Sequence, residues 1–256
     1  MDDPFRSSLS SIEYAKGRIT EFEVQLRAFF DTNPYVALVE PNADRTKDLY
    51  KIKLVKPIPF VLPHIAFNII NTLRSALDHA GYACAIGSGI PDNGRIKAAF
   101  PFRDDPREFN GARTGTSKHI PKEIFNLMLS FKPYKGGDDL LWALNKLCNT
   151  NKHEALVPHV LTLGNMHVKK LTFSGPGALA IPRWDSRKHE MVWLTTPHGS
   201  AADMNVDFTG FITFKDIKGM PVVPADVAMG KFASITDTII AAIRAEYLRL
   251  GFSVPS

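Results

Sequence analysis

The chain has 256 residues, 31 of them Lys or Arg and 26 Asp or Glu, for a net charge of +5; 45% are hydrophobic. This composition excludes a disordered chain, a collagen-like repeat and a coiled-coil rod. The length suits one large domain or two small ones, with a core that needs no disulfide or metal staple.

The first helix is predicted over Ser11–Phe30, where Ile12, Ala15, Ile19, Phe22, Leu26 and Phe29 recur at three- and four-residue steps before Asp31-Thr32-Asn33-Pro34 ends it. Two strands follow, Tyr35–Val39 and Leu49–Val55, joined by a polar link that suits a hairpin. Pro57, Pro59 and Pro63 are expected to forbid regular structure up to His64. A second helix is read over His64–Ala85, then a Gly-rich loop over 87–94, a segment of little periodicity, a short helix over Lys122–Leu129 and another over Asp138–Asn149. From Val157 the pattern turns to strands, at Val160–Leu163, His167–Phe173, Met191–Thr195 and Asn205–Phe214. Ala225–Leu250 closes the chain as a long helix.

The expected class is α+β: a helical half over about residues 10–156 with a small hairpin, a β-rich half over about 157–220, and a C-terminal helix packing back on the helices. As domains this reads 1–156 and 157–256, with a single domain left open. No stretch reaches the ~18 uninterrupted apolar residues of a membrane span, and the acidic start lacks the basic and apolar regions of a secretory leader. No Asn-x-Ser/Thr sequon occurs, and Cys84 and Cys148 read as buried thiols in a reducing compartment. A cytoplasmic protein is expected, with no membrane partner and no cofactor.

The excess charge is local. From Arg95 to Lys135 nine bases face four acids, a surplus of five equal to that of the whole chain. Such a segment is what RNA or another polyanion would meet first. The Gly- and hydroxyl-rich stretch Gly111–His119 within it is not a phosphate loop by spacing and reads as a mobile loop, able to close over an anion.

Wound at 100° per residue, the second helix carries Ile65, Ile69, Leu73, Ala76, Leu77 and Ala80 on one side. Opposite them lie His64, Asn68, Asn71, Ser75, Asp78, His79 and Tyr82, with Arg74 at the margin and neither Lys nor Glu among them. Asn, Ser and Asp are weak helix formers, so such a stripe needs a compensating role, as a site or as a buried hydrogen-bond network. Asn145, Asn149, Lys152 and His153 form a second polar run, and side-by-side packing would let both stripes share one cleft.

Asn71-Thr72-Leu73-Arg74-Ser75-Ala76-Leu77-Asp78-His79, with Asn149-Thr150-Asn151-Lys152-His153, resembles an uncharacterised bacterial protein family with paired N-x-LRSALDH and N-x-x-KH segments, over about residues 10–160. It is similar, more distantly, to HEPN domains, marked by Arg, four to six residues, then His; Arg74 and His79 fit, with Ser75 where Asn, Asp or His is usual. That resemblance implies a metal-independent ribonuclease, commonly dimeric, acting through Arg74 and His79; the polar stripes add Asp78 as a candidate catalytic residue and Asn71, Asn149, Lys152 and His153 as candidates for holding substrate. An imidazole would move the 2′-hydroxyl proton while a guanidinium steadies the phosphate. The alternatives are an interaction protein whose stripes are an interhelical hydrogen-bond network, and a metal-dependent hydrolase. Against the last, His64 and His79 stand about 22 Å apart along one helix, too far to share an ion.

Overall fold

A computed structural model describes residues 3–92, 94–149, 156–160, 166–173, 176–185, 187–200, 202–208, 210–214 and 223–252. The fold is α+β, and no helix among the described residues is long and apolar enough to cross a membrane. The chain forms two compact units, one from residues 1–23, 63–155 and 216–256, the other from 24–62 and 156–215. The hairpin, grouped by sequence with the helices, is therefore counted with the later strands, and the last helix with the earlier helices.

In the first unit the apolar periodicities become buried helix faces. Helix α1 runs Arg6–Asp31, α2 Val61–Gly87, α3 Phe109–Thr114, α4 Lys122–Ser130, α5 Asp139–Cys148 and α6 Ala225–Arg249. The six apolar residues predicted to share one face of α2 are all buried to 1% or less. The helix begins before the expected His64, because Pro63 falls in the first turn, where a missing N–H costs no helical bond. Asp138 caps α5, its side chain accepting from the Leu141 N–H at 2.8 Å. The last helix does pack back on its neighbours, α4 and α5. It also runs against the start of α1: Arg244 meets Asp3 at 2.6 Å, Lys16 meets Asp237 at 3.2 Å, and the Phe5 and Tyr247 rings stand edge to face at 5.3 Å.

The irregular basic segment is more ordered than its composition suggests. A 3₁₀ turn at Pro106–Glu108 leads into α3, and the expected mobile loop 111–119 is fastened. The buried Ser117 hydroxyl donates to the Ala99 carbonyl at 2.7 Å, and Arg113 donates to the Ile120 carbonyl at 2.6 Å. Such side-chain bonds stand in for a ladder and satisfy backbone groups that would otherwise be buried unpaired.

The second unit is antiparallel. Strands β1 (Tyr35–Pro41), β2 (Lys47–Leu54), β3 (Leu156–Val160), β4 (Met166–Phe173), β5 (Ala178–Asp185), β6 (Glu190–Pro197), β7 (Ala202–Phe208) and β8 (Gly210–Phe214) form a sheet ordered β1-β2-β6-β5 and two ribbons, β3-β8 and β4-β7. The run expected as one strand over Asn205–Phe214 is thus two, and β5 was not foreseen. Tyr35, Tyr50, Ile52, Trp184, Met191, Trp193 and Leu194 make the core. Gly210 faces the Tyr35 ring so closely that a Cβ there would lie 2.4 Å from it, so the backbone needs glycine at that point.

Candidate functional site

Arg74 and Asp78 lie one turn apart on α2 and form an ion pair. The spacing is i,i+4, which places the two side chains on one side of the helix. From there the pair reaches elements far away in sequence. The Arg74 Nε donates to the Asn145 side-chain oxygen on α5 at 3.0 Å, and the guanidinium lies over the Phe102 ring at 4.6 Å. The Asp78 carboxylate accepts from the Phe100 N–H at 2.7 Å. Next to this knot the Trp142 indole donates to Asp104 at 2.8 Å, and the Lys146 ammonium lies 3.8 Å from the same carboxylate and 5.6 Å from the Trp142 ring centre. Gly81 makes the approach possible, since a Cβ there would stand 2.2 Å from the Ala98 carbonyl oxygen.

Residues 98–104 have no helix and no long ladder of their own. Their side chains Phe100 and Phe102 are buried, and Asp78 and Arg74 hold them to α2. A charge-assisted hydrogen bond from a backbone N–H to a carboxylate is among the stronger local bonds, so a single acid anchors this loop well.

The remaining sequence-predicted residues divide. His79 is exposed and its Nδ1 lies 3.0 Å from the Ser7 hydroxyl on α1. It stands about 140° around the helix from Arg74, five residues at 100° each, and shares no hydrogen-bond partner with it among the described residues. Asn71 donates to the Phe67 carbonyl at 3.0 Å and Asn149 to the Asn145 carbonyl at 3.1 Å, both within their own helices. His64, Asn68, Ser75 and Tyr82 are exposed. Lys152 and His153 lie outside the described residues. The two stripes thus meet through Arg74 and Asn145.

Both thiols are buried or half-buried, and burial pushes Cys84 and Cys148 up to about 12, so neither is a thiolate near neutral pH. Among the described residues no group of three or more His, Cys, Asp or Glu is placed to hold a metal ion.

The basic segment keeps most of its charge outside. Arg95, Lys97, Arg107, Lys118, Lys122, Lys132 and Lys135 are exposed, whereas Arg103 and Arg113 are half-buried. Arg107 is spent on Asp105, whose carboxyl it holds down at about 2. Residues 97–99 and 116–119 run side by side: the Lys97 N–H donates to His119 Nδ1 at 3.0 Å, the His119 N–H to the Lys97 carbonyl at 2.9 Å, and the Ala99 N–H to the Thr116 carbonyl at 3.0 Å. The backbone at Lys97 is thus held beside residues 116–119, which include Lys118, with Lys122 a few residues on. Sequence reasoning found the charge but missed the fastening, which rests on Phe100, Phe102, Asn145 and Trp142. One signal was present: Arg74 and Asp78 have ion-pair spacing.

The α+β class stands on the architecture alone. No family model, curated protein or solved structure matches the chain.

Proposed function

We propose that the protein binds RNA through the exposed bases of residues 95–122 and does not cut it, with Arg74, Asp78 and Asn145 as the scaffold that holds this surface in shape. The observation that carries this reading is the engagement of Arg74. Its Nε is bonded to Asn145, its Nη1 is paired with Asp78, and its plane lies against Phe102. A guanidinium committed in three directions is poorly placed to take up charge developing on a phosphate, which calls for donors aimed at the reacting oxygens. His79 in turn meets the Ser7 hydroxyl and shares no hydrogen-bond partner with Arg74 among the described residues.

The electrostatic case is one of backbone recognition. Residues 95–122 carry seven bases and three acids, a surplus of four of the chain's five, and attract a polyanion through contacts that do not depend on base identity. The test is a gel-shift titration of a short single-stranded RNA with the wild type and with Lys118→Glu/Lys122→Glu. The expected result is a shift that the double variant weakens about tenfold or more, and RNA recovered at full length. RNA shortened by the wild type, with shortening lost in His79→Ala at unchanged thermal stability, would restore the nuclease reading. No shift at any protein concentration would remove RNA as the ligand.

A further inference from the structure

Strand β1 is an edge of the four-stranded sheet, and among the described residues it pairs only with β2. An edge presents unpaired N–H and C=O groups, and natural proteins blunt such edges with lysines, prolines, bulges or short strands. β1 is lightly protected: of its seven residues Tyr35–Pro41 only Glu40 and Pro41, at its C-terminal end, are of this kind, and Tyr35–Val39 has no charge, no Pro and no break in its register against β2. Val36 is 37% exposed and Val39 46%, on opposite faces, so both sides of the strand are open. The other edge is guarded. β5 carries Pro182, and its register with β6 shifts between Leu179 and Arg183.

We infer that β1 is a self-pairing edge, where a second copy of this chain adds its own β1 antiparallel to form an eight-stranded sheet across a two-fold axis. The occupant follows from symmetry and charge. Pairing β1 with β5 of another copy would be head-to-tail and open-ended, and the guarded β5 edge opposes it; pairing β1 with β1 closes after two copies. Centred on Leu38, the pairing sets Val36 of each copy opposite Glu40 of the other, and Ala37 opposite Val39. Within each copy Lys53 lies directly across from Val36. Glu40 of one copy would then stand two strands from Lys53 of the other, about 10 Å between backbones and inside one Debye length. The charges match. Lys51 lies 2.8 Å from Glu40 and 3.1 Å from Glu190, and Lys53 of the same copy stands across from Glu190, so each copy's group is balanced and the two-fold adds one Glu40–Lys53 attraction at each end of the pairing.

This inference is independent of RNA binding, since it concerns the sheet unit and uses no residue of the basic segment. The test is sedimentation velocity of the full chain from low to high micromolar concentration, on the wild type, Val39→Lys and Lys53→Glu. Val39 and Lys53 are partly or well exposed, and circular dichroism checks that both variants fold. The expected result is a concentration-dependent dimer, weakened about tenfold or more by Val39→Lys and measurably by Lys53→Glu, with amide exchange at residues 36–40 slowing as the dimer forms. A wild type that stays monomeric throughout overturns the inference, as does a dimer that Val39→Lys leaves intact. A dimer whose formation protects other amides while 36–40 exchange freely overturns it equally.

Discussion

The ionic cluster around Lys51 in the sheet unit and the one around Arg74 in the helical unit are built for different purposes. In the sheet unit Lys51 sits between Glu40 and Glu190, with Lys51 8% and Glu190 7% exposed. The three residues lie on neighbouring strands whose register is already set by ladder hydrogen bonds. Burial lowers the Lys51 pKa, but the bonds to Glu40 and Glu190 outweigh it and leave the group above its ordinary value, so it is charged at neutral pH. In the helical unit Arg74 and Asp78 hold down a stretch of chain with no strand or helix of its own, only an isolated bridge at Arg103. A buried pair inside regular structure can be exchanged for apolar side chains of similar volume, because the backbone does not depend on it. A pair that replaces secondary structure cannot.

The largest effect is expected on removing one member of the buried pair. Lys51→Met leaves the Glu190 carboxylate buried and unpaired and should cost about 3–5 kcal/mol in urea denaturation, with the exposed Glu40 adding little. The double variant Lys51→Met/Glu190→Leu should return to within about 1 kcal/mol of wild type. If the double variant is as unstable as the single one, the sheet cluster is as indispensable as the helical one and the contrast fails.

Gly81→Ala should cost about 3 kcal/mol, because the new methyl meets a backbone carbonyl that can withdraw only if the 98–104 stretch lifts off α2. Arg74→Ala follows at about 2 kcal/mol, discounted because Asp78 is partly solvated, with Arg74→Lys recovering only part of this since Lys cannot keep the Asn145 bond and the flat contact with Phe102 together. Both losses are read as shifts in denaturation midpoint. In each, proteolysis should cut first within 95–120, which ties the loss to the fastened loop.

The smallest effect is a pH dependence. The His198 ring bonds Asp48 at 2.7 Å and the Gly199 N–H bonds it at 2.9 Å, in that order of importance, and together they hold its carboxyl below the ordinary value. A group with a lowered folded pKa contributes stability that is full above its unfolded value and is lost as pH falls through the folded value. Asp48→Asn should therefore flatten the fall in melting temperature below about pH 4 while altering stability little at the acid end of the scan.

The helices were legible because a 3.6-residue apolar period survives any tertiary context that buries one face; α2 and α6 were placed to within a few residues. β5 was not, because Pro182, Arg183 and a register shift break the two-residue alternation that marks a strand. The polar stripe was legible as an anomaly and less so as a structure. Its strongest residue, Arg74, takes its meaning from Asn145, 71 positions away, and from an aromatic ring in a loop with no period. The bond from the Phe100 N–H to Asp78 was hidden for a similar reason, since backbone donors carry no residue signature.

The central claim, that this molecule holds RNA by its phosphates on a braced basic surface, is tested most directly by the salt dependence of RNA affinity. Fluorescence anisotropy of a labelled single strand should give a straight plot of log affinity against log salt, with a slope of about −2 to −4, as expected of three to five phosphate contacts at about −0.7 each. Lys118→Glu/Lys122→Glu should make that slope shallower. A slope near zero, or one unchanged by the double variant, contradicts it.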